Sequence, residues 1–279
     1  KAILAPNLLG NLVHWAKIKK ILKNRNILII EDSADTIGAL YKKKSTGYFS
    51  DISTCSFYGS HIMNCAGNGG IVCFNNKKLY SKAKLLRSWG RSSSLFDEKS
   101  EKIENRFNIS LDGIKYDKKF VFSEAGHNLE PSEIGAAFGR VQLGKLKKNI
   151  KSRIDNFKYI SKNLKKFEKF FILPKQLANS HTAWLAYPLT IKNSIISRTE
   201  MQIFLEKRNI QTRVIFTGNI LRQPGFKNIK AKVNKNGYPV ADEIMRNGIL
   251  FGCHQGMTTK MLNHLINSIE NFLKLKKLI

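Results

Sequence analysis

Acidic residues are scarce in this chain of 279 residues: 20 Asp and Glu stand against 48 Lys and Arg, a formal net charge of +28. A basic excess of that size ordinarily points to nucleic acid. Here the excess is mostly lysine, dispersed over expected surface helices such as residues 145–169 and the tail 274–277. Arginine, the better reader of phosphates and bases, is in the minority, so no nucleic-acid partner is expected. The basic surface does suit an anionic substrate. Cysteine is also rare, and Cys55, Cys65, Cys73 and Cys253 show neither C-x-x-C spacing nor a paired framework. That pattern excludes a structural zinc or disulfide scaffold and predicts buried thiols in a reducing cytoplasm. Long apolar runs are missing too. Ile27–Ile30 and Ile71–Phe74 fall far short of the roughly 20 residues of a membrane span, and no repeat of solenoid period or signal-peptide pattern is visible.

What is present is ordinary globular material, 42% apolar and 10% aromatic, enough for a sizeable core. The opening reads strand, helix, strand at 2–5, 13–23 and 27–30, the rhythm of a mainly parallel α/β sheet. Because Lys1 runs directly into a strand without an initiator Met, the chain is expected to be a fragment of a longer protein. Strands are expected at 53–57 and 71–74, a helix at 77–88, and an irregular stretch from Trp89 to Phe122. A long helix should start near Pro131 and run past Phe157. Beyond it the order becomes α+β, with strands at 183–191 and 211–216 and helices at 199–208 and 258–274. The expected division is a large domain over 1–150 and a small C-terminal domain over 151–279, with no Gly, Ser or Pro-rich linker between them.

Several residues stand where chemistry is usual. Asp32 ends a hydrophobic strand, where open α/β sheets bind ligands, although Asp also favours helix N-caps. Asp35 follows three residues later, as a site carboxylate or a solvated one. Ser56, Tyr58 and His61 share one short segment at and just beyond a strand end. No lysine occurs from Ser45 to Asn76 in a chain otherwise crowded with it. His61 is therefore a candidate proton carrier, histidine being the side chain most often used to move protons in catalysis. The Gly67-Asn68-Gly69-Gly70 loop lacks G-x-G-x-x-G spacing and runs into a strand, so it reads as a tight turn rather than a dinucleotide fingerprint. Asn128 precedes the long helix and is either a ligand contact or a cap.

These segments together resemble the sugar aminotransferases of the pyridoxal phosphate (PLP) type: Glu31-Asp32-Ser33-Ala34-Asp35, Ser56-Phe57, the glycine loop, Trp89-Gly90-Arg91, His127-Asn128-Leu129-Glu130-Pro131, and Arg213 to Asn219. The resemblance implies the PLP-dependent transferase fold of type I and covers nearly the whole chain. It implies that Asp32 pairs with the pyridine nitrogen and Ser56 binds the cofactor phosphate. It also implies that Tyr58 and Asp35 lie at the reacting centre, and that Asn128 reaches a partner's phosphate across a homodimer. Members of the family keep a lysine in the neighbourhood of His61 to hold PLP covalently, which an imidazole cannot do.

The substitution resembles the nucleotide-sugar 3-dehydratases, which use the amine form of the cofactor, pyridoxamine phosphate (PMP). One kind of these carries an iron–sulfur cluster on cysteines where this chain has Ala34 and Ser92-Ser93-Ser94. With no thiolates at those places, no cluster is expected. The resemblance thus implies C3 deoxygenation of a nucleotide-linked 4-keto-6-deoxyhexose in deoxysugar or lipopolysaccharide O-antigen synthesis, with an amino donor such as glutamate. An aminotransferase, or a non-catalytic binding module of the same fold, is the alternative. The fragment alone, lacking the family's N-terminal segment, is expected to be inactive.

Overall fold

The computed structural model describes residues 1–96, 103–192 and 196–279, and the chain divides into two compact units. The first gathers 1–5, 15–33 and 47–143; the second gathers 6–14, 34–46 and 144–279.

In chain order the elements begin with β1 (Ala2–Pro6), α1 (Trp15–Ile21) and β2 (Leu28–Asp32). Short strands β3 (Leu40–Tyr41) and β4 (Lys44–Ser45) follow, then β5 (Ile52–Ser56), β6 (Gly70–Phe74) and α2 (Lys77–Arg87). The first unit's sheet has the order β1-β2-β5-β6. Within it β2 and β5 are parallel, pairing Ile30 with Ile52 and Asp32 with Thr54, while β5 and β6 are antiparallel, pairing Ile52 with Phe74 and Ser56 with Gly70. Their β-branched residues suit a pleated surface. Asn76 caps α2 by accepting the Lys78 and Leu79 amides.

The stretch expected to be irregular holds a short helix α3 (Ile103–Arg106) and a hairpin of β7 (Ile109–Leu111) and β8 (Ile114–Tyr116); residues 97–102 lie outside the described residues. The long helix α4 spans Glu133–Leu164. Pro131 stays outside it, because Ser132 serves as the cap and accepts the Gly135 amide at 3.4 Å.

In the second unit, β9 (Phe171–Ile172), β10 (Ser180–His181), β11 (Ala186–Ile191), α5 (Arg198–Glu206) and β12 (Thr212–Arg213) precede α6 (Pro239–Asn247), β13 (Gly248–Gly252) and α7 (Thr259–Leu275). The antiparallel sheet β12-β13-β11-β9 carries the core. Along β11 the residues Tyr187, Leu189 and Ile191 alternate inward, and α7 presents Leu262, Leu265, Ile266, Ile269 and Phe272 at helical spacing. The strand expected at 211–216 shrinks to two residues because the backbone turns at Phe216, whose φ is 43°.

One composition-based expectation is corrected: only Cys253 is buried, Cys55 and Cys65 are half-buried, and Cys73 is exposed, all four as free thiols. A short β6 with exposed faces leaves Cys73 uncovered. No helix among the described residues is long and apolar enough to cross a membrane.

Helix α5 offers an internal comparison of core and surface, with Met201 fully buried and Ile203 51% exposed. Met201→Ala should lower unfolding free energy by about 2–5 kcal/mol, and Ile203→Ala by no more than about 0.5 kcal/mol, in urea titrations. Equal losses would show that the core assignment is wrong.

Candidate active site

The parallel pair β2 and β5 brings two polar side chains to one end of the first unit's sheet. Asp32, half-buried, closes β2, and the Thr54 hydroxyl beside it donates to Asp32 Oδ1 at 3.4 Å. No helix follows Asp32, so it is not an N-cap. Alternation along β2 sends Glu31 to the opposite face, where it is buried and accepts the Ser33 hydroxyl at 3.0 Å and the Gly47 amide at 2.8 Å. Those bonds pin the strand end beside Asp32.

Beyond Ser56 and Gly70 the antiparallel pairing continues without regular strand geometry. The Phe57 amide donates to Gly69 O at 2.9 Å and the Gly59 amide to Gly67 O at 3.2 Å. Gly67 and Gly69, with φ of 103° and 115°, supply the left-handed turns this needs. Ser56 Oγ accepts the Tyr58 amide at 3.2 Å, which leaves the hydroxyl proton to be donated elsewhere. The His61 amide donates to Tyr58 O at 3.0 Å, and the two rings meet edge to face at 6.0 Å. Directly after His61, Ile62 and Met63 are buried and anchor the loop. Its far end rests on α4 through Cys65. A Cβ on Gly139 would lie 2.4 Å from Cys65 Sγ and 3.7 Å from Cys65 Cβ, so only glycine admits the thiol.

A third group forms around Trp89, whose φ of 59° is a strained setting for an aromatic residue. The segment is held by pairing with residues 121–129: the Trp89 amide donates to His127 O at 2.8 Å, and Ser88 bridges Asn128. Asn128 is exposed, and its side chain accepts the Glu130 amide at 3.4 Å; it does not cap α4. Beside it lies a cavity of about 380 Å³ lined by Arg87, Arg91, Lys119, serine hydroxyls, Phe96, Phe120 and Glu130. Glu130 pairs with Arg87 at 3.4 Å, and the Arg91 guanidinium stacks on Trp89 at 4.2 Å. Near this segment Arg106 donates through Nε to Asp117 Oδ1 at 2.8 Å, and this guanidinium, with the Lys119 amide, holds the Asp117 carboxyl at about 2.

Asp35 belongs to the second unit, where it is buried rather than solvated and its Oδ2 accepts the Leu9 amide at 2.9 Å. In the first unit the structure brings Ser56, Tyr58 and His61 into one loop and sets Asp32 beside Thr54. Glu31 stood in the Glu31 to Asp35 motif without a role of its own, and Thr54 and Cys65 belonged to no motif. For Glu31 and Thr54 the available signal was their strand register next to Asp32. No cluster of three or more His, Cys, Asp or Glu able to hold a metal occurs among the described residues.

A family model described as the DegT/DnrJ/EryC1/StrS aminotransferase family matches residues 1–270. The lipopolysaccharide biosynthesis protein RfbH of Salmonella typhimurium is 32% identical over 275 residues, which is 98% of this chain and 62% of the relative. A GDP-4-keto-6-deoxy-D-mannose 3-dehydratase of Escherichia coli O55:H7 is 30% identical, over 91% of this chain and 63% of its own. The solved E. coli GDP-4-keto-6-deoxy-D-mannose-3-dehydratase with bound hydrated PLP is 27% identical. It superposes with a TM-score of 0.84, covering 96% of this chain and 67% of that one. GDP-perosamine synthases also match, at 24–25% identity. The chain spans about three-fifths of the length of the curated relatives it matches.

The contact between Cys65 and Gly139 is testable by a double-mutant cycle. Gly139→Ala should destabilise by about 1–3 kcal/mol through overpacking, and Cys65→Ala in the same chain should recover most of it; additive losses would refute the contact. For Asp117, the folded value lies below the ordinary 3.8, so its contribution is present above about pH 4 and is lost as pH falls toward 2. Asp117→Asn should flatten the acid limb of stability measured by urea titration at low salt. An unchanged limb would show that the pair with Arg106 does not act.

Proposed function

The chain belongs to the DegT/DnrJ/EryC1/StrS aminotransferase family, with the α/β fold of PLP-dependent transferases, and from that premise we propose a specific reaction for the full-length protein. It removes the C3 hydroxyl of a nucleotide-linked 4-keto-6-deoxyhexose, using PMP, as a 3-dehydratase in deoxysugar or lipopolysaccharide synthesis. The observation that carries this reading is His61, held on an ordered loop in a stretch without lysine.

The first unit's residues fit the cofactor. A carboxylate at a strand end, a hydroxyl with a donatable proton at the next strand end, and a glycine turn with open backbone are a donor set for a cationic ring nitrogen and a phosphate. When bound, the cofactor supplies a primary amine for the substrate carbonyl and a ring that takes up electron density. Asp32 accepts the hydrogen bond of the protonated ring nitrogen, with Thr54 orienting it. Ser56 donates to the phosphate, joined by Asn128 of the partner in a homodimer. His61 would take a proton from the carbon that bears the cofactor's amine and deliver it to the departing C3 hydroxyl oxygen, and Tyr58 packs against that imidazole. Asp35 is assigned to the cofactor's surroundings.

The cavity lined by Arg87, Arg91 and Lys119, with Phe96 and Phe120 at its wall, suits the diphosphate and base of a nucleotide. Ala34 and Ser92–Ser94 offer no thiolate for an iron–sulfur centre, so glutamate supplies the reducing equivalents. Substrate and glutamate give 3-deoxy product, 2-oxoglutarate and ammonia. A nucleotide sugar and free thiols both suit the cytoplasm.

The test is to incubate full-length protein with PMP, glutamate and a panel of 4-keto-6-deoxy sugar nucleotides. A 3-deoxy product with ammonia is expected, and His61→Phe should lower its rate by about 100-fold or more while keeping PLP binding. Formation of an aminosugar would establish the aminotransferase reading favoured by the perosamine synthases. Absence of PLP and PMP binding would leave a non-catalytic module.

A further inference from the structure

The second unit contains a buried cation that the proposed reaction does not use. Arg153, on α4 and 3% exposed, donates from Nε to Gln255 Oε1 at 2.8 Å. Its Nη1 donates to the carbonyls of Trp184 at 3.2 Å and Leu185 at 3.1 Å. Among the described residues it has no carboxylate at ion-pair distance. The groups around it are neutral. Burial pushes the Cys253 thiol up to about 12, and that thiol donates to Trp184 O at 3.4 Å. Burial, and then the guanidinium itself, hold the His254 imidazole below its ordinary value. A buried charge with only neutral acceptors is costly, and its hydrogen bonds tie together the segments that bear those acceptors.

The carbonyls that Arg153 holds belong to the residues on which a strained turn rests. The Leu185 amide donates to Leu9 O at 2.9 Å, and the Thr182 hydroxyl to Gly10 O at 2.6 Å. Gly10 has φ of 97°, and a Cβ there would lie 2.8 Å from Trp184 Cα. Leu9 has φ of 58°, a conformation a leucine keeps only when its surroundings impose it. So held, the Leu9 amide is aimed at Asp35 Oδ2, 2.9 Å away. On the other side of the turn Asn7 accepts the Val13 amide at 3.0 Å and reaches the Thr36 hydroxyl at 3.5 Å.

We propose that Arg153 is a positioning residue for Asp35: its guanidinium fixes residues 184–185, these hold the Leu9–Gly10 turn, and the Leu9 amide sets the carboxylate. The proposal rests on the reaction above only for the meeting of Asp35 with the cofactor. Every hydrogen bond of this relay, from Gln255 to Asp35, lies within the second unit. A lysine preserves the charge but cannot span Gln255 and two carbonyls with one planar fork.

Full-length R153Q, R153K and D35N proteins provide the test, read by hydrogen exchange, by the absorbance of bound PLP, and by kcat and KM for deoxygenation. R153Q should speed exchange at the Leu9 and Leu185 amides by about tenfold or more while β13 amides stay protected. It should shift the PLP band in the same direction as D35N, and lower kcat by about tenfold with KM within about threefold. R153K should fall between R153Q and the unaltered protein. If R153Q does not fold, T182V removes the hydroxyl bond to Gly10 O with Arg153 intact and should give the same exchange and spectral changes. Unchanged Leu9 protection in R153Q, or an unaltered spectrum and kcat despite lost protection, overturns the proposal. An active unaltered protein with indistinguishable R153Q defeats the positioning role alone. An unaltered protein that binds PLP but makes no 3-deoxy product defeats the reaction, and the exchange and spectral readouts then still decide the clamp.

Discussion

The role assigned to His61 depends on one backbone constraint: the antiparallel pairing of β5 and β6 runs on beyond the ends of both strands. Phe57 to Gly69 and Gly59 to Gly67 extend the ladder into the connection, so the loop leaves the sheet along a fixed path. Side-chain anchors then complete it, with Ile62 and Met63 buried on one side of His61 and Cys65 seated against α4. A proton carrier is useful only where its distance to the reacting atoms is reproducible. A loop held by main-chain bonds supplies that, since no change of rotamer releases it.

Much of this was legible in the sequence. The β2 and β5 strands, the glycine turn after them, α2, α4 and α7 follow from apolar periodicity and punctuating residues, and each appears within a few residues of its expected place. Asp32, Ser56, Tyr58 and His61 were legible because they sit at or just after strand ends, where ligand contacts collect in α/β sheets. What could not be read depends on contacts between residues distant in sequence. That the thiol of Cys65 needs a glycine at 139 is a matter of van der Waals distance. That Asp35 joins Leu9 in the second unit follows from the chain's interleaving, for which no linker composition gives a signal. The short β12 shows the opposite failure: apolar residues at 214–216 suggest a strand, but the left-handed Phe216 ends it.

Two buried charged groups illustrate how such a frame is kept in one geometry. Glu31 spends its carboxylate on Ser33 and the Gly47 amide at the end of β2, and Arg153 spends its guanidinium on two carbonyls and Gln255. Each of these sets of bonds ties separate chain segments together. Desolvating each charge offsets much of what its hydrogen bonds return, so the net stabilisation from each is small. In the first unit these ties act beside Asp32, and in the second beside Asp35.

The central claim is that His61 replaces a covalent lysine and works on a cofactor held without a covalent bond. Borohydride reduction of the full-length protein incubated with PLP, followed by intact-mass measurement, tests it most directly. The account predicts that the polypeptide mass is unchanged and that the cofactor is released on denaturation. A polypeptide carrying one reduced, covalently attached cofactor would contradict it.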